Sequence, residues 1–284
     1  RDRSVSRGLG DVYKRQEHEW LHGISSSFEL RGRHISSNRY VPMILPDGRS
    51  LHGINDASIR IGLRLSKDET IVRMPFEVRH MGSKYPIFSF DFTGAKRGVL
   101  PASYDYLRLE GRMQYRLNLP PIGYSQLMLE GGKIFGKVPY LLLKLHEGNG
   151  TYFYDRYAFS CMNFYEFSSD AWISFFYEHH FNGFLLGRVP LLKKLNWREV
   201  FVFKGVYGTL SARNDGSLPN TKAVMLFPVG MSSVEHPYLE TGFGIENIFR
   251  LLRVDCIWRL THHRAVPGLS IPTFTVNFSL NLKF

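Results

Sequence analysis

From Phe274 to Phe284 the chain reads "FTVNFSLNLKF", an unbroken alternation. Phe274, Val276, Phe278, Leu280, Leu282 and Phe284 fall on one side, and Thr275, Asn277, Ser279, Asn281 and Lys283 on the other. A period of two predicts a β-strand, because successive side chains leave the pleat on opposite faces. Chain ends are usually polar and frayed, so a terminal strand this apolar is expected to be tied into a sheet. The same pattern recurs upstream. In "SIRIGLRLS" (58–66), Ile59, Ile61, Leu63 and Leu65 oppose Arg60 and Arg64. In "DYLRLEGRMQYRLNL" (105–119), Leu107, Leu109, Met113, Tyr115 and Leu117 oppose Arg108, Glu110, Arg112, Gln114 and Arg116. "FSFDF" (88–92) and "VDCIWRL" (254–260) repeat it more briefly, the second placing Asp255 and Arg259 on the side away from Val254, Cys256 and Trp258. "WISFFYEHHFN" (172–182) is noisier and sets Glu178 and His180 on the polar side.

These patterns predict eleven strands, at 20–34, 56–66, 85–94, 104–118, 122–133, 157–166, 170–182, 198–210, 238–246, 253–262 and 272–284. Residues 70–79 either extend the second strand or belong to a loop. No amphipathic helix of ordinary length separates the strands, which disfavours α/β architectures. Two connecting segments resemble each other, "GKVPYLLLKL" (136–145) and "GRVPLLKKL" (187–195), and "IENIFRLLR" (245–253) is similar in character. On the eleven-strand reading each follows a strand of the same direction, so all three are expected on one rim. There they either meet lipid head groups or plug one end of a barrel. The polar stretch "SARNDGSLPNTKAV" (211–224) is expected as a long loop on the opposite rim.

The apolar face needs a medium. A soluble sandwich alternates too, but its strands are usually about five or six residues long and its polar face is mixed in charge. Here arginine follows arginine on the polar side, and 104–118 reads as one long strand. Long alternating strands with an aromatic-rich apolar face and a polar interior fit a transmembrane β-barrel, closed so that no edge is left unpaired in hydrocarbon. No apolar run approaches the roughly 20 residues of a membrane helix, whereas a barrel crosses with strands of about ten.

Composition narrows the picture further. The 284 residues are 44% hydrophobic and 14% aromatic, with 22 Phe, 15 Tyr and 4 Trp, which excludes disorder. A net charge of +11 raises nucleic acid or an anionic lipid surface as partners. Nucleic acid is disfavoured, because the basic residues are spread over strands and turns instead of forming one face with stacking aromatics. Cys161 and Cys256 give neither a disulfide framework nor a metal-binding spacing. The opening "RDRSVSRGLGDVYKRQ" (1–16) resembles translated sequencing adapter, so fold reasoning is confined to 17–284, and the natural protein is expected to begin further upstream.

Chemical candidates are few. In "EHHFNG" (178–183) strand geometry sends His179 to one face and Glu178 with His180 to the other, so the adjacent histidines cannot chelate one ion, and a hydrogen-bonded Glu–His pair is the simpler expectation. "THH" (261–263) reads as a solvated strand end. "HEGNGTYFYD" (146–155) offers His146, Glu147 and Asp155, but no nucleophile elbow or metalloprotease helix accompanies them. "GFGIEN" (242–247) lacks the lysine and the βαβ context of a phosphate loop and reads as a glycine-relieved strand. No cofactor, metal site or enzymatic activity is expected. The lumen-facing candidates are Arg60, Arg64, Arg108, Glu110, Arg112, Arg116, Glu178, His180, Glu240, Asp255 and Arg259. They form either a conducting or salt-bridged lumen, or simply the solvated inner wall.

"LPPIGYSQLMLEGGKIFGKVPY", "TYFYDRYAFSCMNFYEF", "EHHFNGFLLGRVPLLKKLNWREV" and "GFGIENIFRLLRVDCIWRLTH" resemble the C-terminal barrel of a large Bacteroidota outer-membrane family of uncharacterised function. The resemblance covers residues 20–284 and is most specific over 104–262. It implies an N-terminal carboxypeptidase-regulatory-like sandwich ahead of the barrel, and the barrel in turn is similar to the BamA/TamA class of assembly factors. It brings no catalytic residues to carry over. Bacterial single-chain barrels have even strand numbers, so the expected fold is all-β: an incomplete antiparallel transmembrane barrel, eleven C-terminal strands of sixteen. The expected setting is the bacterial outer membrane. The expected partners are its lipid, the barrel assembly machinery reading the C-terminal strand, and client outer-membrane proteins. Assembly or translocation is the leading role implied, and an arginine-lined pore or receptor is the alternative. An unclosed fragment, with two bare edges, is not expected to fold alone.

Overall fold

The computed structural model describes residues 10–21, 23–39, 41–69, 71–74, 77–80, 82–218, 221–263 and 270–280. Among the described residues sixteen strands run in chain order: β1 (Gly10–Leu21), β2 (Ile24–Ser36), β3 (Gly53–Leu65), β4 (Ile71–Met74), β5 (Glu77–His80), β6 (Ile87–Ala95), β7 (Tyr106–Asn118), β8 (Tyr124–Gly136), β9 (Lys144–Leu145), β10 (Phe167–Ser169), β11 (Ala171–His180), β12 (Arg198–Thr209), β13 (Ser232–Ser233), β14 (Tyr238–Ile248), β15 (Leu252–Arg259) and β16 (Phe274–Leu280). Eleven of them form one meander in the order β1-β2-β3-β6-β7-β8-β11-β12-β14-β15-β16, every neighbouring pair antiparallel. β4 and β5 make a separate hairpin, and β9, β10 and β13 a small sheet. β1 and β16 are the two edges, so the large sheet is open among the described residues.

The eleven-stranded all-β sheet is the architecture the alternation predicts, but two of its strands are placed differently. Residues 157–166 are not a strand; they belong to a connecting segment, 137–170, between β8 and β11. The eleventh strand is β1, whose residues 10–16 fall in the stretch set aside, and the expected strand 20–34 is broken by a hairpin at Gly23 (φ +93°). There a side-chain Cβ would collide with the Ser66 carbonyl oxygen at 1.8 Å. Residues 71–74 and 77–80 pair with each other as β4 and β5 instead of extending β3.

Losing 157–166 as a strand reverses the direction of everything after it. Segment 136–145 therefore lies on the rim where β8 ends and β11 begins, whereas 187–195 and 245–253 lie on the other. The three basic segments do not share a rim, and 211–224 joins 136–145. One rim thus carries the segments 37–52, 96–105, 137–170, 210–237 and 260–273. The other carries mainly tight turns, such as 119–123 and 249–251. We call them the loop rim and the turn rim.

Strand register sorts the side chains. Phe28, Ile61, Phe92, Leu107, Phe135, Ile173, Tyr207, Phe243, Trp258 and Phe274 all lie on the same outward face and are exposed. Soluble monomers rarely expose a contiguous apolar patch beyond a few hundred Å², while a barrel turns this face to lipid. The buried core is on the opposite, inner face. Met43, Val138, Tyr140, Leu142, Leu143, Met225 and Met231, from the loop-rim segments, pack on Ile35, Ile54, Ile134 and Trp172 at the strand ends. Deeper, Phe159 and Met162 of the long segment pack with Met128, Phe167, Phe176, Val206, Val234 and Tyr238. A sheet wall filled from the loop rim is the frame for its polar groups.

Candidate functional site: the inner wall and the segment seated on it

The long segment descends from the loop rim, crosses the inner face and approaches the turn rim, where Arg156 meets Glu178 near the end of β11. Its backbone is irregular between 146 and 166, and buried peptide groups need partners. Charged side chains of the wall supply them. The Glu240 carboxylate accepts from the Ser160 and Cys161 N–H groups at 2.8 and 2.7 Å, and from the Tyr238 hydroxyl at 2.6 Å. Lys204 Nζ donates to the carbonyls of Asp155 (2.7 Å) and Ala158 (2.6 Å). Arg259 donates to the Cys161 carbonyl at 3.2 Å and pairs with Glu166 at 2.6 Å. Lys204 and Glu240 are fully buried. Non-helical backbone at membrane depth is tolerated only where protein surrounds it, and these three residues provide that.

A second cluster holds the tip. Glu178, buried, accepts from the Tyr154 hydroxyl, from Arg156 Nε at 2.9 Å and from Arg253 Nη2 at 3.2 Å. Arg253 also grips Asp255 through Nε at 2.8 Å, and its guanidinium lies 4.5 Å from the Tyr154 ring centre. His180 stands between Glu178 (3.4 Å) and Glu246 (3.2 Å). Burial, reinforced by the Glu178 charge, pushes the Tyr154 phenol well above its usual range, so the hydroxyl stays a donor. Burial likewise lifts the Cys161 thiol to about 12. It also drives the His146 imidazole down to about 3, with Lys144 acting in the same sense and Glu130 opposing.

The half of the wall formed by β3, β6 and β7 is wetter. Arg60 pairs with Asp91 (2.9 Å), Arg64 with Glu69 (2.7 Å) and Arg108 with Glu110 (2.7 Å). Arg112 and Lys144 share Glu130 at 2.6 and 2.7 Å, and Arg116 stacks 4.0 Å above the Tyr124 ring. A cavity of about 660 Å³ opens here, lined by Gln114, Arg116, Gln126, Arg156, Tyr157 and Phe176 among others.

Register places all eleven lumen candidates, Arg60, Arg64, Arg108, Glu110, Arg112, Arg116, Glu178, His180, Glu240, Asp255 and Arg259, on the inner face. The structure gathers Glu178, His180 and Asp255 into the tip cluster, joins Glu240 and Arg259 around Cys161, and spreads the other six over the wetter half. Phe274, Val276, Phe278 and Leu280 face outward on β16, whereas Leu282 and Phe284 lie outside the described residues. His179 turns outward to Ser125 at 2.8 Å. His146 meets Ser169 at 2.9 Å, and both Ser–His contacts are buried. His262 packs against Phe167 and is not simply a solvated end. Among the described residues no cluster of three or more His, Cys, Asp or Glu is arranged to hold a metal ion. In "GFGIEN" a Cβ on Gly244 would come within 2.2 Å of Asp255 Oδ1, so the glycine makes room for the clamped carboxylate.

Sequence reasoning missed Lys204, Arg253, Tyr154 and Arg156. Lys204 and Arg253 had a signal: each shares the inward parity of its strand, Lys204 between Val202 and Val206 on β12 and Arg253 with Asp255 and Arg259 on β15. Tyr154 and Arg156 sit in the irregular segment, where no period points.

The family described as "Family of unknown function (DUF5686) C-terminal domain" matches residues 22–212. No curated protein matches. Among solved structures the chain is similar to the crystal structure of BamA from Haemophilus ducreyi lacking POTRA domains 1-3, with a TM-score of 0.55 at 10% identity. The alignment covers 96% of this chain and 54% of that one, so the chain spans about half the length of that structure. At that identity the likeness is one of fold.

Proposed function

The chain belongs to that family of unknown function, and from this premise we propose that it is part of an outer-membrane β-barrel acting in the assembly or translocation of other outer-membrane proteins. The observation that carries the proposal is the segment between β8 and β11, which fills one half of the inner wall through Glu240, Lys204 and Arg259, as suits a barrel that works at its wall instead of conducting through its lumen. On this reading the seam that β16 closes exchanges strands by β-augmentation. The BamA-like fold supports the same role by analogy. On this reading the outward face meets lipid, and the barrel assembly machinery recognises the C-terminal strand. The host is a Bacteroidota bacterium, and a carboxypeptidase-regulatory-like sandwich precedes the barrel in the natural protein. No catalysis, cofactor or nucleic acid takes part.

The alternative, an anion-selective pore, draws on the half-exposed Arg60 and Arg112 of the wetter wall. The filled half, with Lys204, Glu240 and Asp255 sealed beneath the segment, counts against steady conduction. Planar-bilayer recording of the purified protein separates the two. The assembly role predicts closed or rare, flickering events, and a stable anion-selective conductance would overturn it.

A further inference from the structure

Two connections meet on the turn rim, 181–197 between β11 and β12 and 249–251 between β14 and β15. Asn247 Nδ2 joins them by donating to the Asn196 carbonyl at 2.8 Å. Both lie inside the meander, with β8 beyond one and β16 beyond the other, so neither is at an edge of the sheet. Residues 181–198 hold four cations and no acid, and 247–252 hold one cation and no acid. Arg188, Lys193, Lys194 and Arg250 are exposed, and no carboxylate pairs with them among the described residues. Arg188 lies instead 3.9 Å from the Phe184 ring centre. Leu185, Val189, Leu195 and Leu251 are exposed among these cations. Phe249 is 86% exposed, and it and Arg250 take φ of +50° and +68°, the left-handed region that glycine occupies at far lower cost. An aromatic ring held at a strained tip, without burial in its own chain, points to a surface outside that chain. The outward face beside these turns is aromatic, with the Phe201 ring 5.2 Å from Phe243 and 6.4 Å from Tyr177. Such girdles mark the membrane–water interface of a barrel.

We infer that these two turns form an anchoring surface for anionic phospholipid. Phe249 and the exposed leucines enter the acyl boundary, while Arg188, Lys193, Lys194 and Arg250 hold headgroup phosphates. Cations with no acid among them favour a negative surface, and a basic face interleaved with aromatic and leucine side chains is the chemistry of interfacial segments. Barrels of this class keep their short turns on the periplasmic side, so the leaflet is the periplasmic one. An acidic protein would satisfy the cations but not their continuity with the aromatic girdle. This inference rests on the reading of the outward face as lipid-facing, and adds the leaflet, the charge of the headgroup and the residues that read it.

The test uses the intact protein, reconstituted at low salt in phosphatidylcholine vesicles. These are doped equally with phosphatidylglycerol or phosphatidylcholine carrying the same photoreactive group, and the adducts are mapped by mass spectrometry. Phosphatidylglycerol is expected to label 184–195 and 249–251 well above phosphatidylcholine, while both label the outward Ile173 and Tyr207, near the loop rim, alike. Each exchange among Arg188→Gln, Lys193→Gln, Lys194→Gln and Arg250→Gln is expected to lower that excess about fivefold. Phe249→Gly relieves the left-handed turn, so it is expected to keep full thermal stability and yet to lose labelling at 249–251. A drop in its thermal stability would show that Phe249 packs within its own chain and would overturn its anchoring role. Equal labelling of the turns by the two lipids overturns the anionic preference. Adducts on Ile173 and Tyr207 with none on the turns overturn the anchoring surface while the lipid-facing wall stands, the outcome an acidic protein partner would give. Absence of adducts on Ile173 and Tyr207 as well overturns the lipid-facing reading itself.

Discussion

Glu178 is the residue on which the descending segment depends most, since the Tyr154 hydroxyl, Arg156 and Arg253 all converge on its carboxylate. Replacing one member of a buried ion pair strands the others, at a cost of about 3–5 kcal/mol, whereas exchanging a whole buried group for apolar residues can be neutral. Glu178→Gln is therefore expected to lower the temperature at which the folded band converts in a semi-native gel. The Glu178→Met, Arg253→Met double variant should recover part of that loss, and a recovery of nothing would mean that the two act separately. His146 gives a pH dependence. Its folded pKa, about 3, lies below the roughly 6.5 of an unfolded histidine. As pH falls, the unfolded chain takes up the proton first, so the stability from a neutral His146 is whole above about 6.5 and declines towards 3. The same gel assay should show a falling midpoint between pH 7 and pH 4 that His146→Gln flattens, and an unchanged slope in that variant would exclude His146 as the source. At this scale the sequence was informative about sides and silent about partners. Parity alone puts Glu178 and His180 inward and His179 outward. That Arg156 would reach Glu178 depends on the path of an aperiodic segment.

At the scale of the element, the instructive case is 157–166. Tyr157, Phe159 and Cys161 have the spacing of a strand, and residues 158–162 are all buried. Local alternation reports burial on one side; it cannot report whether the backbone pairs with a strand or with side chains. Here Glu240, Lys204 and Arg259 take the place of a neighbouring strand. The misplaced strand then shifted the three basic segments to a common rim, because each strand reverses the chain. The strands themselves were legible because a wall between lipid and a polar interior enforces the period of two along its length. Glycines mark where the wall is tight: a Cβ on Gly132 would meet the Trp172 ring at 2.6 Å. Gly244→Ala, aimed at an Asp255 carboxylate fixed by Arg253, is expected to cost about 1–3 kcal/mol as overpacking. Thermal conversion of this variant measures it, and wild-type stability would show that Asp255 can move aside.

For the whole molecule, the polar wall has two halves with different solvent. From β11 to β16 it is dry and filled; from β3 to β7 it keeps paired arginines beside a cavity. The alternation predicts a polar lumen but not this division, because the filling comes from loop-rim segments that fold back onto strands distant in sequence, which a local pattern does not record. The outward face, apolar from β2 to β16, is what a membrane barrel presents to lipid. The central claim is that this barrel serves the biogenesis of others, and depletion of its gene in the native host, followed by quantitative proteomics of the purified outer membrane, tests it most directly. The account predicts a broad loss of other β-barrels or surface lipoproteins before growth fails. An outer-membrane proteome that stays unchanged through depletion would contradict it.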